Sequence, residues 1–146
     1  MNALDKSIIT LDLKGDTKEE VFNELSQMLL DSNYIDDIES FHAALYEREN
    51  IGITGLGNHI AIPHGKSDSV KKTGLAIGKS DHDIEWETHD GKPVRFVIMF
   101  SVPNDDEYEK KHLKLLTEVA KKLADDEVVE KLLKVQTKDE IINILS

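Results

Sequence analysis

The run from Val94 to Val102 constrains the fold more than any other segment of this chain. It is of strand length, almost unbroken in apolarity from Phe96 to Phe100, and stopped by Pro103. A strand of that composition has no face suited to water, so it marks a central position in a sheet. Strand and helix signals alternate around it, which predicts an α/β fold: one compact domain over residues 1–146, with a mixed β-sheet flanked by helices.

The other elements follow from local chemistry. Ile8 to Leu13 reads as a first strand and Thr73 to Gly78 as another; Asp81 to Trp86 starts a separate one, and Asp90-Gly91-Lys92-Pro93 is a turn. Thr17-Lys18-Glu19-Glu20 is a capping box, and Val21, Phe22, Leu25, Met28 and Leu29 then recur at helical spacing to Leu30. A second helix starts at Asp36 or Asp37, turns Ile38, Phe41, Leu45 and Tyr46 inward, and ends near Glu49. A third starts between Asp105 and Glu107, where acids suit the helix dipole, and presents Leu113, Leu116, Val119, Ala120 and Leu123 on one face. Asp125 to Val135 is a further helix, and Thr137-Lys138-Asp139-Glu140 opens a short last one.

Charge and composition exclude several functions. With 29 acidic and 18 basic residues, the net charge of −11 repels phosphate backbones, so nucleic acid is not an expected partner. The absence of cysteine rules out disulfides, a thiolate nucleophile on this chain and zinc–thiolate sites. No apolar stretch reaches the roughly 20 residues that span a bilayer, and Met1 to Lys6 has no apolar signal core, so the expectation is a soluble, cytoplasmic protein.

Chemistry concentrates in Gly52-Ile53-Thr54-Gly55-Leu56-Gly57-Asn58-His59-Ile60-Ala61-Ile62-Pro63-His64-Gly65. The triplet Ile60 to Ile62 reads as a short strand that stops at His64, with Pro63 stiffening the backbone and Gly65 free to turn it. An imidazole held there can act as a nucleophile near neutral pH, or it can simply cap the strand. His112, early in the third helix, falls at the carboxyl rim of the central strand, where ligands collect in α/β sheets, and equally reads as a boundary residue beside Leu113 and Leu116. Arg48, at the end of the second helix, can pair with a phosphate in bidentate geometry or answer the helix dipole. Thr54, among glycines, can contact an anion or belong to an ordinary turn. His42, His82 and His89 read as structural or solvent-facing. The loop is neither a P-loop nor a dinucleotide fingerprint; no His-Glu-x-x-His zinc helix or Gly-x-Ser-x-Gly elbow is present, and His59, His64 and Asp68 make only an unspecific metal grouping.

Taken in order, Arg48-Glu49, Thr54-Gly55-Leu56-Gly57, Ile60-Ala61-Ile62-Pro63-His64-Gly65, Ile84-Glu85-Trp86, Asp90-Gly91-Lys92-Pro93-Val94, Val102-Pro103 and His112-Leu113-Lys114-Leu115-Leu116 resemble the enzyme IIA domain of the fructose–mannitol class of the bacterial phosphoenolpyruvate:sugar phosphotransferase system. The resemblance covers nearly the whole chain. It implies a phosphotransferase with a phosphohistidine intermediate. His64 matches the phosphorylated histidine, His112 the second active-site histidine, Arg48 the arginine near the phosphate and Thr54 a nearby polar contact. It also implies a histidine phosphocarrier protein as donor and a cysteine of a sugar-specific enzyme IIB as acceptor, with fructose the default sugar. The membrane is met only indirectly, through enzyme IIC, and no metal or organic cofactor is needed. Many members have glycine where His59 stands, and His59 reads as a tolerated surface substitution. The competing reading within the same fold is a regulatory phosphoprotein of the nitrogen-related phosphotransferase type; a metal-dependent hydrolase is the third.

Overall fold

The computed structural model describes the backbone of residues 3–146 and the side chains of residues 3–105 and 113–146. A 3-10 turn, Lys6–Ile8, leads into β1 (Ile9–Thr10), followed by α1 (Lys18–Asp31), α2 (Ile38–Ile51), β2 (Gly55–Gly57), β3 (Ile60–Ala61), β4 (His64–Ser67), β5 (Gly74–Ile84), β6 (Val94–Pro103), α3 (Asp106–Leu123), α4 (Asp126–Lys134) and α5 (Lys138–Leu145). The six strands form one mixed sheet in the order β1-β5-β6-β3-β2, with β4 also on β6. β5 and β6 are antiparallel, whereas β3 and β4 both run parallel to β6 along the same edge.

β6 is the central strand that its composition predicts. Its alternate residues feed two cores: Val97 and Met99 face α1 and α2, while Phe96, Ile98, Phe100 and Val102 face α3, α4 and α5. Both faces of the sheet are therefore covered by helices, and all six of these side chains are essentially inaccessible to water. Thr17 and Thr137 cap α1 and α5 through hydroxyls that accept from the Glu20 and Glu140 amides at 3.2 and 3.1 Å.

Several expectations are corrected. The first strand is shorter than Ile8 to Leu13, although the Leu13 amide still donates to the Lys79 carbonyl at 3.0 Å. The strands expected at Thr73–Gly78 and Asp81–Trp86 are one, β5, whose register against β6 shifts between Lys79 and Ile84. The polar residues there leave the apolar pattern without leaving the strand. Leu113 is 60% exposed and Ala120 is also exposed, so α3 packs through Leu115, Leu116, Val119 and Leu123 instead.

Candidate active site beside the central strand

Pro63 divides one edge of β6 between two short strands. Having no amide hydrogen, it cannot extend the β3 ladder, and the chain resumes pairing at His64. His64 thus opens β4, where the end of a strand was expected, and sits opposite Phe100 in register. The Pro63 carbonyl accepts from the Phe100 amide at 2.9 Å. The half-buried imidazole stacks on the Phe100 ring, with centroids 5.0 Å apart and planes inclined by 17°. Its Nδ1 is buried.

Gly65 does not turn the chain. It is a buried, extended strand residue paired with Ser101, and a Cβ there would lie 2.5 Å from Cε1 of Phe41. The missing side chain lets α2 approach β4 closely. Phe41 fixes which face of α2 meets the sheet, and Arg48, two turns further along, shares that face. Arg48 and His64 are consequently brought together around an open cleft of about 360 Å³, lined also by Ala44, Glu47, Ile51, Lys66 and Val102. Lys66 was not singled out from sequence. Strand alternation puts it on the His64 face of β4, a signal invisible while His64 was read as the end of a strand.

Arg48 Nη1 donates to the Gly52 carbonyl at 2.8 Å, which fixes one edge of a planar fork carrying five N–H donors. A guanidinium, an ammonium and an imidazole thus line one cleft, a set of groups that can take an anion.

Thr54 takes neither an exposed nor a cleft-lining position. It is only 2% exposed, it is not among the cleft-lining residues, and its hydroxyl donates to Glu49 Oε1. The Glu49 side chain is itself only 6% exposed, and its other oxygen lies 3.6 Å from Lys18 Nζ, which also contacts Glu87 at 2.5 Å. Burial opposes the charge on Lys18, but the hydrogen bond to Glu87 and the charges of Glu49 and Glu87 outweigh it and leave its pKa raised. His112 falls within α3, and its side chain lies outside the described residues.

His59 stands apart from the cleft. With Asn58 it forms the two-residue link between β2 and β3, and both have positive φ, 54° and 71°. That is the geometry of the hairpin turn that favours glycine at its second central position. The ring is half-buried and Nδ1 lies 2.8 Å from the Pro93 carbonyl, so this residue is more closely held than a surface substitution. Among the described residues, no group of three or more histidine, aspartate or glutamate side chains is placed to hold a metal ion, and no helix is long and apolar enough to cross a membrane.

Comparison with known proteins bears on the fold and the family. Over residues 2–146 the chain matches the family described as phosphoenolpyruvate-dependent sugar phosphotransferase system, EIIA 2. It is 32% identical over 141 residues to the 2-O-alpha-mannosyl-D-glycerate-specific EIIABC component of Escherichia coli K12, and 31% identical over 143 residues to the fructose-specific EIIABC component of Bacillus subtilis 168. These alignments cover 96% and 98% of this chain but 21% and 22% of the relatives, so the chain spans about a fifth of their length. Among solved structures, the nitrogen regulatory protein IIA-Ntr of Neisseria meningitidis superposes with a TM-score of 0.84 at 31% identity, over 99% of this chain and 97% of that one. The Escherichia coli mannitol enzyme IIA, in its complex with phosphorylated enzyme IIB, superposes with a TM-score of 0.80 at 27% identity, over 97% and 96%. On its sheet topology and this match over its full described length, the chain belongs to the EIIA 2 family of the phosphoenolpyruvate-dependent sugar phosphotransferase system.

Proposed function

We propose that this chain is a cytoplasmic phosphocarrier that takes a phosphoryl group onto His64 from the histidine phosphocarrier protein and passes it to a cysteine of a sugar-specific enzyme IIB. The observation that carries the reading is the convergence of His64, Arg48 and Lys66 on one cleft. Neutral Nε2 attacks the phosphorus of the donor phosphohistidine in line. A new P–N bond forms as the donor's P–N bond breaks, and the donor imidazole leaves with the electron pair. In the second half the acceptor thiolate attacks the same phosphorus, a P–S bond forms, and His64 leaves as neutral imidazole.

The protein's part in such a transfer is positioning and charge stabilisation. The Phe100 ring restricts the imidazole plane, and the buried Nδ1 directs reaction to Nε2. Arg48 and Lys66 answer the charge on the phosphoryl oxygens, and His112 is proposed as a second imidazole at the same group. Two side-chain cations hold a phosphate less firmly than a divalent-metal clamp, as suits a carrier that must release it.

Incubation with phosphoenolpyruvate, enzyme I and the histidine carrier, followed by intact-mass measurement, tests the reading. One acid-labile phosphoryl group is expected on the parent and none on His64→Ala. A folded parent that stays unphosphorylated, or a His64→Ala protein that still accepts the group, overturns it.

The sugar is proposed as fructose, in line with the Bacillus subtilis relative, while the mannosylglycerate relative and the mannitol structural neighbour keep the sugar class broad. A regulatory role is the second reading, favoured by the 31% identity to a nitrogen regulatory protein over nearly the whole of both chains. Transfer from the phosphorylated chain to an enzyme IIB separates the two: a transport carrier empties onto it, and a regulatory phosphoprotein does not.

A further inference from the structure

We infer that Thr54 and Glu49 form a tie that sets the position of Arg48 relative to His64, so that Thr54 is a positioning residue and not a phosphate ligand. The inference rests on the phosphocarrier reading of His64. The tie runs through two bonds of one residue. The Thr54 hydroxyl donates to Glu49, the neighbour of Arg48 on α2. The Thr54 carbonyl accepts from the Ile62 amide at 3.0 Å, two residues before His64 on the strand edge. Arg48 itself reaches back to the Gly52 carbonyl at 2.8 Å, which fixes the loop between α2 and Thr54 from its other end. The cation-bearing helix and the histidine-bearing strand are thereby linked across a path that contains no ligand.

Burial makes this link stiff. The side chain of Glu49 is 6% exposed and that of Lys18 12%, so the carboxylate has little water to turn to if Thr54 lets go. A buried carboxylate deprived of a partner must either move toward solvent or draw its remaining partner closer. Either motion turns the last turn of α2, and Arg48 moves with it. Displacements of this size matter because phosphoryl transfer depends on alignment.

The test uses Thr54→Val, which keeps the shape and removes the donor, and Thr54→Ser, which restores a hydroxyl. The first readout needs no phosphotransfer. Exchange of the Ile62 amide should accelerate in Thr54→Val, recover in Thr54→Ser, and leave the Ile98 amide in β6 unchanged. The second readout is the rate of phosphorylation by the histidine carrier. Thr54→Val should lower the maximal rate by about 10- to 100-fold, the range expected for misplacement near 1 Å, with KM for the carrier unchanged. On an Arg48→Ala background the same substitution should add no further loss, because the two residues act through one group. Full multiplication of the two losses, or Ile62 exchange in Thr54→Val equal to the parent, overturns the tie. An Ile62 response in a parent that is never phosphorylated removes the carrier reading and, with it, the tie's role in transfer.

Discussion

His59 and His64 lie in one short segment and differ in almost every physical respect. His59 occupies a left-handed turn at φ 71°, a conformation that L side chains adopt at a cost, and its ring is engaged with the Pro93 carbonyl. His64 has ordinary extended backbone on β4, stacks on Phe100 and borders a cleft that holds two cations. The strained residue serves the hairpin, and the unstrained one carries the nitrogen proposed to react. Backbone strain is a poor guide to chemistry here; what distinguishes His64 is what long-range packing puts beside it.

The largest expected effect breaks that comparison most directly. His64→Ala should abolish phosphoryl acceptance while His59→Ala retains it, as read by intact mass after incubation with the carrier system. The next effect is on stability. In Gly65→Ala the new methyl would sit 2.5 Å from Cε1 of Phe41, which is fully buried and cannot swing aside into water. Urea denaturation should show a loss of about 1–3 kcal/mol, typical of overpacking in a filled core. Phe41→Leu in the same protein should recover part of it, since the two side chains share one space. Equal losses alone and together would mean that the approach of α2 to β4 is not limited by that contact.

The same contrast explains what could be read in advance. β6 and the capping threonines were legible because their signals are local: apolar continuity for one, a hydroxyl three residues ahead of a glutamate for the others. β5 was not legible as one strand, since Lys79 to Asp83 lose the apolar pattern while continuing the backbone path. His64 and Arg48 were found as residue types, but their meeting depends on Gly65 admitting Phe41, a contact between distant parts of the chain. Gly65 was therefore mistaken for a turn. For Thr54 both an anion contact and an ordinary turn stayed open, because nothing in a glycine-rich loop reveals its bond to Glu49.

A third histidine tests whether packing or solvent controls titration away from the cleft. His82 Nδ1 lies 3.0 Å from Asp81 Oδ1, and Nε2 lies 2.9 Å from the Gly15 carbonyl and 3.2 Å from Asp16 Oδ1. The hydrogen bond to Asp81, with the Gly15 carbonyl and the Asp16 charge, raises its pKa above the ordinary histidine value of 6.5. A raised pKa in the folded state means that folding favours the proton. The stabilisation is complete below the unfolded value and is lost as pH rises through the folded one. The melting temperature of the parent should therefore exceed that of His82→Gln by more at about pH 6 than at about pH 8. A difference that grows with pH would place the neutral ring, not the cation, in these contacts.

The smallest effect is the sharpest check on how His59 is held. His59→Gly relieves a left-handed side chain, worth about 1–2 kcal/mol. It also gives up the bond to Pro93, worth about 0.5–1.5 kcal/mol, and adds about 0.4–1 kcal/mol of freedom to the unfolded chain. These terms oppose one another, so the midpoint of urea denaturation should move little in either direction and phosphoryl acceptance should stay unchanged. A marked loss of stability would show that the His59–Pro93 contact, and not the turn geometry, holds β2 against β3. A loss of acceptance without a loss of stability would instead bring His59 into the chemistry, and the separation between the two histidines would no longer hold.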